Sequence, residues 1–129
     1  MRAIGERIGR RVAAHAVEVP GKGDVSVTCS VGVALFPFDT ERPGELTWEE
    51  TVVLADCALY EAKGRGRDQA CWLRPGPAGA SPREVLAAAR ENLGDAIRDG
   101  TLAVQGRSSP AAVDAVDSVT MPPLLRSAI

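Results

Sequence analysis

Residues 47–68 read TWEETVVLADCALYEAKGRGRD and contain the beginning, the buried stripe and the end of one predicted helix. Thr47 followed by Glu50 is a capping box, in which each side chain accepts a hydrogen bond from a backbone amide at the helix N-terminus. Apolar residues then recur at helical spacing and predict a buried stripe of Val52, Ala55, Leu59 and Ala62. Gly64 and Gly66 predict the end of the helix, because glycine readily adopts the left-handed conformation that closes a helix C-terminus.

Upstream of this helix, residues 25–35 (VSVTCSVGVAL) predict a β-strand. Val and Cys alternate with small residues, so one face of the strand is apolar and the other carries only Ser, Thr, Gly and Ala. A face of small residues fits the close approach of a helix or of another backbone. We therefore expect an inner strand that is covered on both faces.

The chain before the strand predicts a helix over residues 1–16. Ile4, Ile8 and Val12 recur four residues apart and define its expected buried face. No capping residue precedes this helix, so we expect it to continue an element that begins earlier, with Met1 in the middle of a longer helix.

The chain after residue 68 contains one further strong helix signal. Ser81 and Glu84 form a second capping box, with Pro82 in the first turn. The expected buried face of this helix consists of Leu86, Ala89, Leu93 and Ala96 or Ile97. The predicted segments are a short edge strand at 69–73, a linker at 74–80, the amphipathic helix at 81–100 and a flexible tail at 101–129.

Composition and charge exclude several classes of function. The formal net charge is -2, with no excess of Lys and Arg, which argues against binding of a nucleic-acid polymer. No apolar run reaches membrane-spanning length, so we expect a cytoplasmic protein without membrane insertion. His15 is the only histidine, and Cys29, Cys57 and Cys71 lack paired spacing. We therefore nominate no metal ligands and expect the cysteines to act as small buried hydrophobic residues.

Two stretches together resemble a known family. VTCSVGVA at 27–34 and ADCALYEAKGRGRD at 55–68, in this order and spacing, resemble the closing part of bacterial GGDEF domains, the diguanylate cyclases. The resemblance extends over residues 1–73. It implies an α/β (α+β) fold that is part of a nucleotide-cyclase or palm-like domain, with antiparallel strands flanked by helices. It also implies cyclic di-GMP signalling, because that family condenses two GTP molecules into cyclic di-GMP.

The cations at the end of the predicted helix are the candidate binding residues. On spacing alone, Lys63, Arg65 and Arg67 are explained as cations that complement the helix dipole, a contribution of about 0.3–1 kcal/mol each. Glycines between them would also let an anion approach closely, and Lys and Arg donate charge-assisted hydrogen bonds to phosphate oxygens. The resemblance favours the second interpretation, since Lys63 and Arg67 match the residues that hold the terminal phosphates of GTP in the family. Arg65 is expected to face solvent.

Arg7 is a further candidate binding residue, and the catalytic carboxylates of the family have no counterpart in the sequence. Arg7 aligns with an arginine that in some family members belongs to a secondary part of the product-inhibition site, and its alternative is a solvated helix residue. The sequence contains no GG(D/E)EF hairpin, which in the family carries catalytic carboxylates and holds Mg²⁺. We therefore expect no catalytic residue and no metal held by this chain alone.

Two functions from different classes fit these residues. The first is a truncated diguanylate cyclase domain that lacks activity by itself and binds GTP or cyclic di-GMP weakly. The second is a non-catalytic nucleotide-binding or protein-interaction module derived from such a domain. Under either reading, the expected protein partners are a second copy of the chain or a complementing upstream GGDEF half.

Overall fold

The computed structural model describes residues 2–106, which form three helices and five strands. In chain order the elements are α1 (Arg2–Ala13), β1 (Ala16–Val19), β2 (Gly23–Ser26), β3 (Val31–Val33), α2 (Trp48–Gly64), β4 (Ala70–Pro75), α3 (Pro82–Arg98) and β5 (Leu102–Gly106). The described part is thus a mixed arrangement of helices and strands, as the sequence predicts at this coarse level.

The strands form two separate sheets. β1 and β2 make an antiparallel hairpin, and the second sheet has the order β3-β4-β5. β4 and β5 are antiparallel, but β3 and β4 are parallel, with Val31 opposite Ala70. The expectation of antiparallel strands is therefore wrong for β3 and β4. The reason is that α2 connects them as a crossover and returns the chain in the same direction.

The predicted strand at 25–35 is divided between the two sheets. Its first residues belong to β2 and its later ones to β3, while residues 27–30 belong to neither. Val27 is 52% exposed and β2 is exposed along its whole length. The prediction of one inner strand is therefore wrong, because the pairing of β2 with β1 ends before the chain enters the second sheet. Alternating apolar residues fit two short strands as well as one long strand.

The part of that stretch that does lie between helices is β3. A Cβ atom added to Gly32 would lie 2.1 Å from the carbonyl oxygen of Ala55 on α2. Val31 and Val33 have side-chain atoms near Gly5 of α1 instead. Because successive side chains of a strand point to opposite faces, α1 and α2 cover opposite faces of the sheet. The prediction that the small-residue face meets a closely packed element is confirmed at Gly32.

The first helix forms as predicted but packs through a different face. A Cβ atom added to Gly5 would lie 2.7 Å from the Cβ atom of Ala70, so α1 touches the sheet at this glycine. Ile4 and Ile8, predicted to be buried, are 49% and 45% exposed. The expected apolar face is therefore wrong, because closest contact with the sheet requires a residue without a side chain rather than a large one.

Both predicted capping boxes are present. Glu50 N–H donates to Oγ1 of Thr47 at 3.2 Å, and Thr47 N–H donates to Oε2 of Glu50 at 2.8 Å. Ser81 and Glu84 make the equivalent pair at the start of α3. Val52 is 48% exposed, however, and the buried residues of α2 are Thr51, Val53, Leu54, Cys57, Ala58, Glu61 and Ala62. The stripe is thus shifted and wider than predicted, since α2 contacts both the sheet and α3.

The C-terminal part of the described chain is packed on this sheet rather than separate from it. α3 buries Leu86, Ala89, Leu93 and Ala96, as predicted, and bends at Asn92, whose backbone is extended. The predicted edge strand at 69–73 belongs to β4, which is the central strand of its sheet. Residues 102–106 of the predicted tail form β5, which pairs with β4 on the side opposite β3. The remainder of the predicted tail, 107–129, lies outside the described residues.

The segment predicted as a linker is held by hydrogen bonds. The backbone N–H groups of Gly76 and Ala78 donate to the carbonyl oxygens of Thr101 and Gly100, each at 3.1 Å. Arg42 Nη2 donates to the carbonyl oxygen of Ala80 at 3.2 Å. Residues 76–80 are therefore a fixed connection between β4 and α3.

One apolar core joins α2, β4, α3 and β5. Its fully buried side chains include Leu54, Leu93 and Leu102. Cys57 and Cys71 are buried in the same core, as predicted, whereas Cys29 is only half-buried and the prediction is wrong there. Burial raises the pKa of the Cys57 thiol to about 11, so this thiol stays neutral at ordinary pH.

Candidate phosphate-binding loop

The candidate site is the loop of residues 63–69, which connects α2 to β4. The backbone N–H of Arg67 donates to the carbonyl oxygen of Ala62 at 3.0 Å, and that of Gly66 donates to the carbonyl oxygen of Lys63 at 3.4 Å. This pair of bonds is a Schellman motif, in which Gly66 is the left-handed residue, with φ of +105°. Gly64 is the last helical residue and Gly66 closes the helix, as the sequence predicts.

The two residues after Gly66 are also left-handed. Arg67 has φ of +63° and Asp68 has φ of +47°. A non-glycine residue in this region is uncommon and costs on the order of 1 kcal/mol. The loop therefore holds Arg67 in a conformation that its own backbone does not prefer, which fixes where its side chain leaves the chain.

Gln69 completes the capping of the helix. Its Nε2 donates to the carbonyl oxygens of Arg65 at 2.9 Å and of Ala62 at 3.3 Å. Its Oε1 is buried without a hydrogen-bond partner among the described residues. Gln69 also joins the loop to the sheet, because its carbonyl oxygen accepts from the backbone N–H of Val31 at 2.9 Å.

The loop separates its three cations into two classes. Lys63 and Arg67 are exposed, and neither forms an ion pair with another described residue. Arg65 Nε instead donates to Oε1 of Glu61 at 2.7 Å, and both of these side chains are largely buried, at 26% and 9% exposure. The expectation that Arg65 faces solvent is wrong, because its position four residues after Glu61 lets the two side chains meet on the helix.

The capping bonds change the electrostatics at this helix end. The C-terminus of a helix carries a partial negative charge on its open carbonyl groups, which disfavours a bound anion. Here the carbonyls of Glu61, Ala62, Lys63 and Arg65 each accept a hydrogen bond. The carbonyl oxygens are thereby partly neutralised, while Lys63 and Arg67 remain available. Lys and Arg side chains donate charge-assisted hydrogen bonds to anionic groups such as phosphate, which makes this loop the candidate site.

A cleft of about 370 Å³ lies beside the loop, between α1 and the start of β4. It is lined by Gly5, Glu6, Gly9, Arg10, Ala13, Asp68, Gln69 and Ala70. Asp68 and Gln69 directly follow Arg67, so the cleft adjoins the candidate phosphate site. Arg7, the other residue singled out by the sequence, is exposed on α1 and does not line the cleft.

Three residues of the site are not among those the sequence singles out. Glu61 is detectable in principle, since an acidic and a basic residue four apart on a helix predict an ion pair. Gln69 and Asp68 leave no such signal, because their roles depend on how the chain turns into β4. Within the described range, no group of three or more His, Cys, Asp or Glu side chains could hold a metal ion.

The chain is similar to the uncharacterized protein YhcK of Bacillus subtilis strain 168, with 39% identity over 69 residues. The matched segment is 54% of this chain but only 18% of YhcK. No model of a known protein family matches the chain, and no solved structure matches it. The similarity therefore concerns a segment of a much longer protein. Separately, between residues 2 and 106 no helix has the length and apolarity needed to cross a membrane.

Proposed function

We propose that this chain is part of a GGDEF-type diguanylate cyclase domain and that it binds the terminal phosphates of GTP through Lys63 and Arg67. The main support is the contrast among the three cations of the loop. Arg65 is held by Glu61, whereas the two positions that match the family's phosphate ligands are exposed and without an ion-pair partner in the described chain. No ion pair with another described residue explains Lys63 and Arg67 as structural residues. Exposed Lys and Arg side chains can donate charge-assisted hydrogen bonds to an anion.

The proposed activity of the chain is binding without turnover, in the cytoplasm. Nucleotidyl transfer in the family uses Mg²⁺ held by carboxylates. No group of three or more His, Cys, Asp or Glu side chains occurs together among the described residues, and we assign no catalytic step to them. Formation of cyclic di-GMP would require a complementing GGDEF half.

The test is a calorimetric titration of the full chain with GTP, GDP and guanosine. Loss of one charge-assisted hydrogen bond at an exposed site weakens binding about tenfold, so Lys63→Ala and Arg67→Ala should each bind GTP about tenfold more weakly. Arg74→Ala is the matched control, because Arg74 is an exposed arginine on β4 away from the loop. Equal affinity of wild type and both loop variants would refute the phosphate assignment.

A second measurement tests the absence of turnover. The chain is incubated with GTP and Mg²⁺, and the products are separated by chromatography. We expect no cyclic dinucleotide from this chain alone. Product that depends on Lys63 and Arg67 would show that the chain itself holds the catalytic groups and would overturn this part of the proposal.

Arg7 has a separate proposed role, as part of a secondary inhibitory site for cyclic di-GMP. Its support is its exposure on α1 and its alignment within Glu6-Arg7-Ile8. Arg7→Ala should weaken binding of cyclic di-GMP and leave binding of GTP unchanged. Equal binding of cyclic di-GMP by both proteins would assign Arg7 to the solvated surface.

A further inference from the structure

The exposed side of α1 carries a stripe that is both apolar and basic. Ile4, Arg7, Ile8 and Arg11 recur at spacings of three and four residues and are all exposed, so they lie next to one another along the helix. We call these four residues the basic stripe. Its position follows from the packing of α1 through Gly5, which turns the two isoleucines away from the sheet.

The exposed side of α2 carries the counterpart. Trp48, Glu49, Val52 and Asp56 share one side of the helix by the same spacing, and all four are exposed. We call these four residues the acidic stripe. Trp48 is 60% exposed, which is unusual for the largest apolar side chain in a small domain. Each stripe thus has two large apolar side chains and two charges, and the charges of the two stripes are opposite in sign.

The two stripes do not meet within one molecule. α1 and α2 cover opposite faces of the β3-β4-β5 sheet, as Gly5 and Gly32 establish. None of Arg7, Arg11, Glu49 and Asp56 forms an ion pair with another residue of the described part. Both stripes are therefore complementary surfaces without a described partner.

We propose that the basic stripe of one copy of this chain binds the acidic stripe of a second copy. The apolar side chains supply the buried area, and the charges set the orientation. Pairing of two identical stripes is disfavoured, because it would place arginines against arginines or carboxylates against carboxylates. The contact is therefore head-to-tail and leaves one stripe open at each end, so association continues beyond two copies. The contact includes Arg7, proposed above as a ligand of cyclic di-GMP, and Lys63 lies two turns beyond Asp56 on the same side of α2. Association and nucleotide binding are therefore measured in separate experiments.

The test is sedimentation velocity of the full chain at increasing concentration. Wild type should associate progressively, and association should weaken with added salt, which screens exposed charges. Ile8→Asp blocks the basic stripe and Val52→Lys blocks the acidic stripe. Each variant alone should associate about tenfold more weakly or worse, as expected for the loss of an apolar anchor. Their folding is checked by circular dichroism.

Mixing the two variants separates this contact from its alternatives. Each variant keeps the stripe that the other lacks, so an equal mixture should associate where the separate proteins do not. Phe36→Asp is the control, because Phe36 is also 60% exposed but belongs to neither stripe. The proposal is overturned if wild type stays monomeric up to about 1 mM, if Val52→Lys has no effect, if the mixture does not associate, or if Phe36→Asp disrupts association equally.

Discussion

The backbone N–H of Arg67 donates to the carbonyl oxygen of Ala62 at 3.0 Å, which closes α2 and places Arg67 beyond the helix end with φ of +63°. One residue thus has two separable properties. Its backbone forms the helix cap at a conformational cost, and its exposed side chain is the proposed phosphate ligand. Substitutions at this position can distinguish the two.

Arg67→Gly should be more stable than Arg67→Ala by about 1 kcal/mol, because only glycine adopts a left-handed conformation without steric cost. Both variants should lose GTP affinity equally, since both lack the guanidinium group. Urea unfolding measures the first difference and calorimetry the second. If the two variants are equally stable, the left-handed geometry at residue 67 is not as described.

Arg65→Ala should reduce stability without affecting nucleotide binding. It leaves the buried Glu61 carboxylate without its 2.7 Å partner, at a cost of about 1–3 kcal/mol. The double variant Glu61→Ala/Arg65→Ala should recover part of this loss, because it removes the uncompensated charge. Lys63→Ala is the converse control, with weaker GTP binding and little change in stability. Loss of GTP affinity in Arg65→Ala would contradict the assignment of Arg65 to structure.

Gly32→Ala and Gly9→Ala should have opposite effects on stability. A methyl group at Gly32 would meet the backbone of Ala55 and Leu59 within 2.3 Å, and separating α2 from β3 costs about 3 kcal/mol. Gly9 has open space around its Cβ position and lies inside α1, where alanine stabilises a helix by about 0.5–1 kcal/mol. Thermal unfolding of both variants measures the contrast. A neutral Gly32→Ala would mean that α2 does not pack this closely on β3.

Glu84 should make stability depend on pH in the acid range. Hydrogen bonds from the backbone N–H and then the hydroxyl of Ser81 hold the pKa of Glu84 below its ordinary value of 4.5. A carboxyl group whose pKa is lowered by folding stabilises the protein above its ordinary pKa, and this contribution disappears as pH falls through the lowered value. Wild type should therefore exceed Glu84→Gln in stability at pH 7, and the difference should vanish in strong acid.

The difference between these two proteins isolates Glu84. Asp39 and Asp99 also have lowered pKa values, from hydrogen bonds donated by the backbone N–H of Glu41 and by Thr101, but they are present in both proteins. Urea unfolding from pH 7 into strong acid is the measurement. A stability difference that is constant with pH would show that the Glu84 carboxylate is not ionised in its capping role.

The sequence by itself determined those features that depend on residues three to five apart. Thr47 with Glu50, and Ser81 with Glu84, set where α2 and α3 begin, and Gly66 sets where α2 ends, because a cap is formed by neighbours along the chain. The same local spacing put Lys63 and Arg67 at that end of the helix, while their phosphate-binding role comes from the family resemblance and stays a prediction.

Tertiary structure decided which surfaces face the core. Val25 and Val33 belong to the same alternating stretch, yet Val25 lies in an exposed hairpin and Val33 lies between two helices. The reason is that β2 pairs with β1, whereas β3 pairs with β4. Ile4 and Ile8 have the spacing of a buried face and are exposed, because Gly5 allows α1 to approach Ala70 more closely. Arg65 was separated from the other two cations by the burial of Glu61. Burial and strand pairing join residues far apart in the chain, and local patterns do not specify which distant segments meet.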